Sequence, residues 1–454
     1  MPRLLPALAL AAATLACGVW RRSPPPTPTP PTLPAAPTTT HQVLASVPLH
    51  ITTIPRPGLA RSAAIGVSLR LGSNSDPAER SGVSALLLAL LRGHDEHAGS
   101  LAAALGELGG TPDLNLAPAG ALLTTEVPTR HAPAALRALL AAIRRPLDPA
   151  QFPAVAGEQA AARARARDDP GALALAGLRR VSFPPGHPHA RSRLSAGTWS
   201  FEHVLEHSQR ALGPGALAIV VAGDVDPALL AAAAAEALAG WRGPPAPAPP
   251  PPAAATSRRA IHRIARPGLA QAVIAIGRPV DLADDDLAVR VAAVIVQSVL
   301  GERLRGDMAA TYGVEVTLEP ARGPGLLRVL TEVDAAAIGP ALTAIQRALA
   351  ELQRLRPGPE LVARICVHEA LDRLYQTQTD QGQQAALARA HWYARPPLGP
   401  QDCRTLADPT TRSLREHFAP ELLQIVVVGD PVLIDPPLAA LQLGPIVALD
   451  AATL

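Results

Sequence analysis

S-G-V-S-A-L-L-L-A-L-L-R-G, residues 81–93, is the stretch from which the rest of the chain can be read. Ser81 or Ser84 is placed to cap a helix by accepting a first-turn N–H. The positions that follow are apolar on all sides, which predicts a helix buried all round. About ten residues is too short to cross a bilayer. No side chain in this helix can ligate a metal or move a proton. It follows a strand pattern, A-A-I-G-V-S-L-R-L at 63–71, and a polar turn, G-S-N-S-D-P-A-E-R at 72–80.

With 454 residues, 48% of them hydrophobic and 17% charged, the chain is globular and long enough for two full cores. All of its basic residues are Arg, and the formal net charge is only +3. The arginines are scattered among acids, so nothing argues for a nucleic-acid partner. Residues 1–17 read as an export signal: Arg3, an apolar run over 4–16, then Leu15-Ala16-Cys17. Cys17 followed by Gly18 fits a lipoprotein acylation site, with Thr14 where Leu is usual. Two addresses follow: a lipid-anchored protein facing the periplasm or cell surface, or a plainly secreted one. Residues 18–44 are rich in Pro and Thr and read as a tether, with the membrane reached only through the lipid. Cys366 and Cys403 remain, and nothing in the sequence brings them together.

The chain repeats itself. R-P-G-L-A occurs at 56–60 and again at 266–270; I-V-V-A-G-D at 219–224 returns as I-V-V-V-G-D at 425–430. Two matches at nearly one offset argue for a duplicated domain of about 200 residues. The domains run over 45–243 and 257–454, joined by a Pro-rich linker at 244–256. Strands are expected near 49–54, 63–71, 121–127 and 217–222, and near 260–265, 270–276, 312–318, 326–332 and 423–428. Helices are expected near 82–91, 100–108, 133–143, 151–167 and 172–181, then 287–300, 335–355, 360–375 and 383–392. The closing Gly-Asp strand of each copy suits a sheet edge. The fold class is α+β, an α/β sandwich of two duplicated domains, each a mixed sheet packed by helices.

The order of strand, Gly-Ser-rich turn and buried helix resembles the opening of the pitrilysin/insulinase family of zinc peptidases. There the helix carries G-L-A-H-x-x-E-H, the inverted zinc motif. On that pattern Gly82 matches the glycine, while Ala85, Leu88 and Ala89 stand where His, Glu and His belong. Phe152, Asp168-Asp169-Pro170 and G-H-P-H at 186–189 follow in the family's order. The resemblance implies two half-clamshell domains and a third zinc ligand, a Glu whose place falls on Ala161 or Ala162. An inverted zinc site needs two imidazoles one turn apart, a carboxylate base and a further carboxylate ligand. All four are replaced here, so the chain is expected to hold no metal of its own.

In the second copy, Leu304, Arg305 and Tyr312 keep the spacing of the family's L-R-E-x-x-G-x-x-Y, with Gly306 for the Glu and Ala309 for the Gly. The resemblance implies that Arg305 and Tyr312 bind the substrate's backbone and its developing oxyanion. The alternative is a surface Arg and a strand-start Tyr packed on the sheet.

His203-Val204-Leu205-Glu206-His207 is a literal H-x-x-E-H. A helical wheel places Phe201, Val204, Leu205 and Leu212 on its apolar face and His203, Glu206 and His207 toward solvent. His94-Asp95-Glu96-His97 lacks the i, i+4 histidine pair and reads as a solvated loop. The leading expectation is therefore a zinc-less pseudoenzyme, not active alone. Its zinc would sit in a homologous partner subunit, and the pair would act on extended peptide. Two further readings stand: an active zinc endopeptidase using His203, Glu206 and His207, and a purely structural envelope scaffold.

Overall fold

The computed structural model describes residues 38–54, 61–93, 100–191, 194, 198–244, 260–281, 286–394 and 403–454. Cys17, nearly all of the linker, the first R-P-G-L-A and His94–His97 lie outside these residues. The first half contributes strands β1 (Thr38–Leu44), β2 (Val47–Thr53), β3 (Ser62–Leu69), β4 (Asp113–Leu116), β5 (Ala121–Pro128) and β6 (Leu217–Gly223). Its helices are α1 (Val83–Arg92), α2 (Leu101–Gly106), α3 (Ala132–Arg144), α4 (Phe152–Asp168), α5 (Pro170–Ser182), α6 (Phe201–Ala211) and α7 (Pro227–Leu238). The second half contributes β7 (Ile261–Ala265), β8 (Gln271–Val280), β9 (Val314–Glu319), β10 (Gly325–Asp334), β11 (Gln424–Gly429) and β12 (Ile446–Leu449). Its helices are α8 (Asp286–Gly301), α9 (Ile338–Leu352), α10 (Pro359–Gln376), α11 (Asp380–Tyr393), α12 (Ala407–His417) and α13 (Pro431–Ala440).

Each half builds a six-stranded mixed sheet, ordered β1-β2-β6-β3-β5-β4 and β12-β7-β11-β8-β10-β9. The α+β architecture expected from the sequence is the one observed. The Gly-Asp strands β6 and β11 are not edges. They lie inside their sheets, parallel to β2 and β7 and antiparallel to β3 and β8. Their runs L-A-I-V-V-A-G and Q-I-V-V-V-G are buried on both faces, which is what a central strand requires. The outermost strand differs between the copies. β1 comes from before the first copy and pairs antiparallel with β2, whereas β12 comes from the C-terminus and runs parallel to β7. Residues 38–44, assigned to the tether by composition, are therefore strand.

One face of each sheet is covered by helices of its own half. Leu87, Leu136, Leu139 and Leu230 pack on Ile65, Val67, Ile219 and Val221 in the first half. Val291, Leu342, Ile345 and Phe418 pack on Ile274, Ile276, Val329 and Val427 in the second. The other face is covered by a helix from the opposite half. α5 lays Leu173 and Leu178 on Ala275, Val426 and Val428. α11 lays Leu387, Ala388 and Trp392 on Leu122 and Val220. Gly120 makes room for this, because a Cβ there would stand 2.2 Å from the Trp392 ring. Side-chain hydrogen bonds fix the crossing: Gln384 Nε2 donates to the Val220 carbonyl (3.1 Å), and Trp392 Nε1 to that of Ala121 (3.2 Å). The Arg70 guanidinium donates to the His391 carbonyl at 2.9 Å.

Cys366 of α10 and Cys403 are joined in a disulfide, with Cα atoms 5.7 Å apart and a sequence separation of 37. The loop it closes contains α11. Disulfides persist in oxidising compartments. Closing a loop of this size should contribute about 3–4 kcal/mol. Cys403→Ser is expected to lower the urea midpoint accordingly. An unchanged midpoint would show that the bridge does not form.

Candidate functional site

The turn before α1 folds back to cap it. Asp76 is buried; its Oδ2 accepts from the Gly82 N–H (2.5 Å) and its Oδ1 from the Ser84 N–H (2.9 Å). The cap is thus Asp76, not Ser81 or Ser84. Burial raises the Asp76 pKa, against the pull of Ser84, Gly82 and Arg163. Gly82 has φ +92°, and the guanidinium of Arg163 lies so close that a Cβ would meet it at 1.8 Å. That guanidinium stands 4.9 Å over the Trp199 ring, whose Nε1 donates to the Ser81 carbonyl at 3.0 Å.

On α1, Leu88 is fully buried in the first-half core, and Ala85 and Ala89 are half-buried. Ala85 and Ala89, where the resemblance would put the two histidines, share one face a turn apart, while Leu88, where it would put the base, points inward. The positions that the resemblance assigns to a third ligand carry no carboxylate. Ala161 and Ala162 are exposed on α4, and the side of α4 turned toward the start of α1 presents Arg163. A cation, Arg163, occupies that side of α4.

The H-x-x-E-H helix is α6, and only part of the sequence reading of it holds. Ser200 Oγ accepts from the His203 N–H at 3.3 Å, and His203 Nδ1 accepts from the Ser200 N–H at 3.4 Å, a reciprocal cap. Glu206 is bound by Arg80 at 2.7 Å and approached by Arg210 at 3.8 Å. His207 does not face solvent: it is buried, with Nε2 2.9 Å from Ser84 Oγ on α1. Leu205, expected on the apolar face, is 39% exposed. The wheel failed because α6 docks on α1 through a polar contact. Each member of the apparent motif is engaged by a protein group. Among the described residues no group of three His, Cys, Asp or Glu could hold a metal. Nothing in the sequence marked Asp76, Arg163 or the Ser84–His207 pair beforehand.

Two buried histidines make stability depend on pH. Burial first, then Arg210 and Arg80, pushes His207 down to about 4. Burial first, then Arg70, His50 and Arg322, pushes His391 down to about 3; its Nδ1 lies 2.9 Å from Ser68 Oγ. Both are neutral in the fold and titrate near 6.5 when unfolded, so stability is complete above that value. It falls as pH drops from 6.5 toward 4 for His207 and toward 3 for His391, by at most about 1.4 kcal/mol per unit for each. Chemical denaturation at pH 7 and pH 5 should differ by roughly 2–4 kcal/mol. The variant His207→Asn/His391→Asn should flatten the dependence; an unchanged slope would contradict the assignment.

In the second half, α8 runs into a π-helical turn, Glu302–Asp307. Leu304 is buried and anchors it, and its carbonyl accepts from the Ala310 N–H at 2.8 Å. Ala309 stands where the family pattern has Gly and has φ +50°, the conformation that favours glycine. Arg305 is exposed, and Tyr312, two residues before β9, is 92% exposed. Tyr312 is therefore not packed on the sheet. Among the described residues neither side chain makes a hydrogen bond or ion pair. At the far edge of the first sheet, β4 borders a cavity of about 580 Å³ lined by Asp113, Asn115, Thr124, Glu126, Gln381 and Gln384.

Two six-stranded mixed sheets that exchange covering helices define a duplicated α+β fold. The family model described as "Peptidase M16 inactive domain" matches residues 198–366. No curated protein matches the chain. Among solved structures, a peptidase M16 inactive domain from Pseudomonas fluorescens superposes with TM-score 0.76 at 18% identity, over 87% of this chain and 99% of that one. A protease from Helicobacter pylori gives 0.75 at 13% identity, over 87% and 100%. Pitrilysin gives 0.64 at 17% identity, over 87% of this chain and 45% of its own. These likenesses show the fold. The family match is confined to residues 198–366, and over 87% of its length the chain is similar in fold to the M16 structure from Pseudomonas fluorescens.

Proposed function

We propose that this chain is the zinc-less subunit of an envelope metallopeptidase. It would pair with a zinc-bearing homologue and supply Arg305 and Tyr312 to an extended peptide held at that partner's metal. The observation that carries this is the Arg/Tyr segment: two donors at the spacing of the resemblance, on a buried anchor, both exposed and engaged by no side chain among the described residues. A guanidinium and a phenol so placed suit a carbonyl that becomes an oxyanion. Strand addition at a sheet edge such as β4 is the mode by which peptide would be held. The Cys366–Cys403 bridge supports an exported address, with acylation at Cys17 as the anchor.

The pure chain should contain no stoichiometric zinc and show no chelator-sensitive proteolysis. One tightly held equivalent, lost in His203→Ala, would sink the proposal in favour of an active enzyme. Fractionation of Cys17→Ser tests the anchor: the variant should leave the membrane fraction that retains the wild type.

A further inference from the structure

His41 and His50 face each other across β1 and β2, as direct partners in the antiparallel register. Their Nδ1 atoms are 2.6 Å apart, and their rings meet edge to face with centroids 4.8 Å apart. The pair sits at the open edge of the first sheet, with His41 exposed and His50 half-buried, so an ion can reach it from water. Two imidazole nitrogens this close share one hydrogen bond, in which one ring donates and the other accepts.

We propose that His41 and His50 form a two-imidazole site for a borderline divalent transition metal. If the donating ring takes its Nε2–H tautomer, both Nδ1 lone pairs become available to an ion and no proton is lost. Imidazole selects such metals over Mg²⁺ and Ca²⁺, which take oxygen ligands. Nitrogens about 2.0–2.1 Å from a metal are roughly 2.9 Å apart at a right angle and roughly 3.3 Å apart in a tetrahedron. The observed 2.6 Å is shorter than either, so the rings part by about 0.3 Å or more to admit an ion, and imidazole suits Ni(II), Cu(II) and Zn(II) alike. Among the described residues no third His, Cys, Asp or Glu completes a group with the pair. Water fills the remaining positions, so the ion exchanges and a chelator removes it.

The site would staple an exposed strand. β1 is exposed at five of its seven positions. On the same face, one step along the ladder, the Thr39–Thr52 hydroxyl contact (3.0 Å) adds a second cross-strand bond between side chains. A shared metal therefore ties the first described element of the fold to its neighbour.

The test is titration of the full-length chain with Ni(II), with Mg(II) as control, for wild type, His41→Thr, His50→Thr and the double variant. Thr suits both strands, and histidines elsewhere are common to all four proteins and cancel. Wild type should bind one more equivalent of Ni(II) than the double variant, and each single variant should weaken that site at least tenfold. Ni(II) should slow amide exchange across residues 38–53 in wild type alone. Equal stoichiometry in wild type and double variant, or exchange in β1 indifferent to Ni(II), would overturn the proposal.

Discussion

Arg305→Ala is expected to lower peptide turnover by about 10²–10³, with assembly unchanged, when this chain is studied in complex with a zinc-bearing homologue. Hydrolysis on zinc builds negative charge on the former carbonyl oxygen. A donor already aimed at that oxygen stabilises the transition state more than the substrate, so its loss appears in turnover. Arg305 is free to be changed: it is exposed, while Leu304 beside it is buried and holds the π-helical turn in place. Tyr312→Phe is the sharper test. At 92% exposure, removal of its hydroxyl disturbs no packing, so any loss of turnover belongs to the donor. The measurement is co-purification followed by kinetics of wild type and both variants at equal complex concentration. Unchanged turnover in an intact complex would reduce this chain to a scaffold.

The parts of the fold legible in the sequence were those with strong local pattern. β6 and β11 announced themselves as near-identical apolar runs, and from them the duplication followed. Their place inside the sheets did not, because a run apolar on both faces does not reveal which neighbours will cover it. β1 carries T-T-T-H-Q-V-L beside a Pro-rich stretch and has no apolar alternation; only pairing with β2 makes it a strand. The exchange of α5 and α11 between halves was equally hidden. Their apolar positions show that they are covered, but not that the opposite half's sheet covers them.

At the candidate site, Ala85, Leu88 and Ala89 were legible as apolar residues at the spacing that the resemblance gives to His, Glu and His. What surrounds them was not legible, because it is assembled from long-range contacts. Asp76, Arg163, Trp199 and His207 come from a turn, two helices and a loop. Each is ordinary in its own sequence context. His207 shows the limit most clearly: periodicity assigned it to solvent, and a hydroxyl on another helix drew it inside.

The same substitutions set the last expectation. Leu88→Glu should destabilise the protein by about 4 kcal/mol or more, enough to unfold much of it. Leu88 is fully buried among the α1 leucines, so the change removes packing worth roughly 2–5 kcal/mol. It also places a carboxyl where no partner is described, at several kcal/mol more. Ala85→His/Ala89→His should behave differently. Both alanines are half-buried on one face, so this double variant should stay folded. Combining all three changes rebuilds the letters of the zinc motif but leaves Arg163 on the side where a third ligand would stand. Its charge repels a dication. Thermal unfolding, bound zinc and peptide hydrolysis of the double and triple variants separate the possibilities. The expected result is a folded double variant, a destabilised triple variant and no hydrolysis from either. A stable, zinc-loaded triple variant would show that α1 still opens onto a usable pocket, and that Arg163 can be displaced from it.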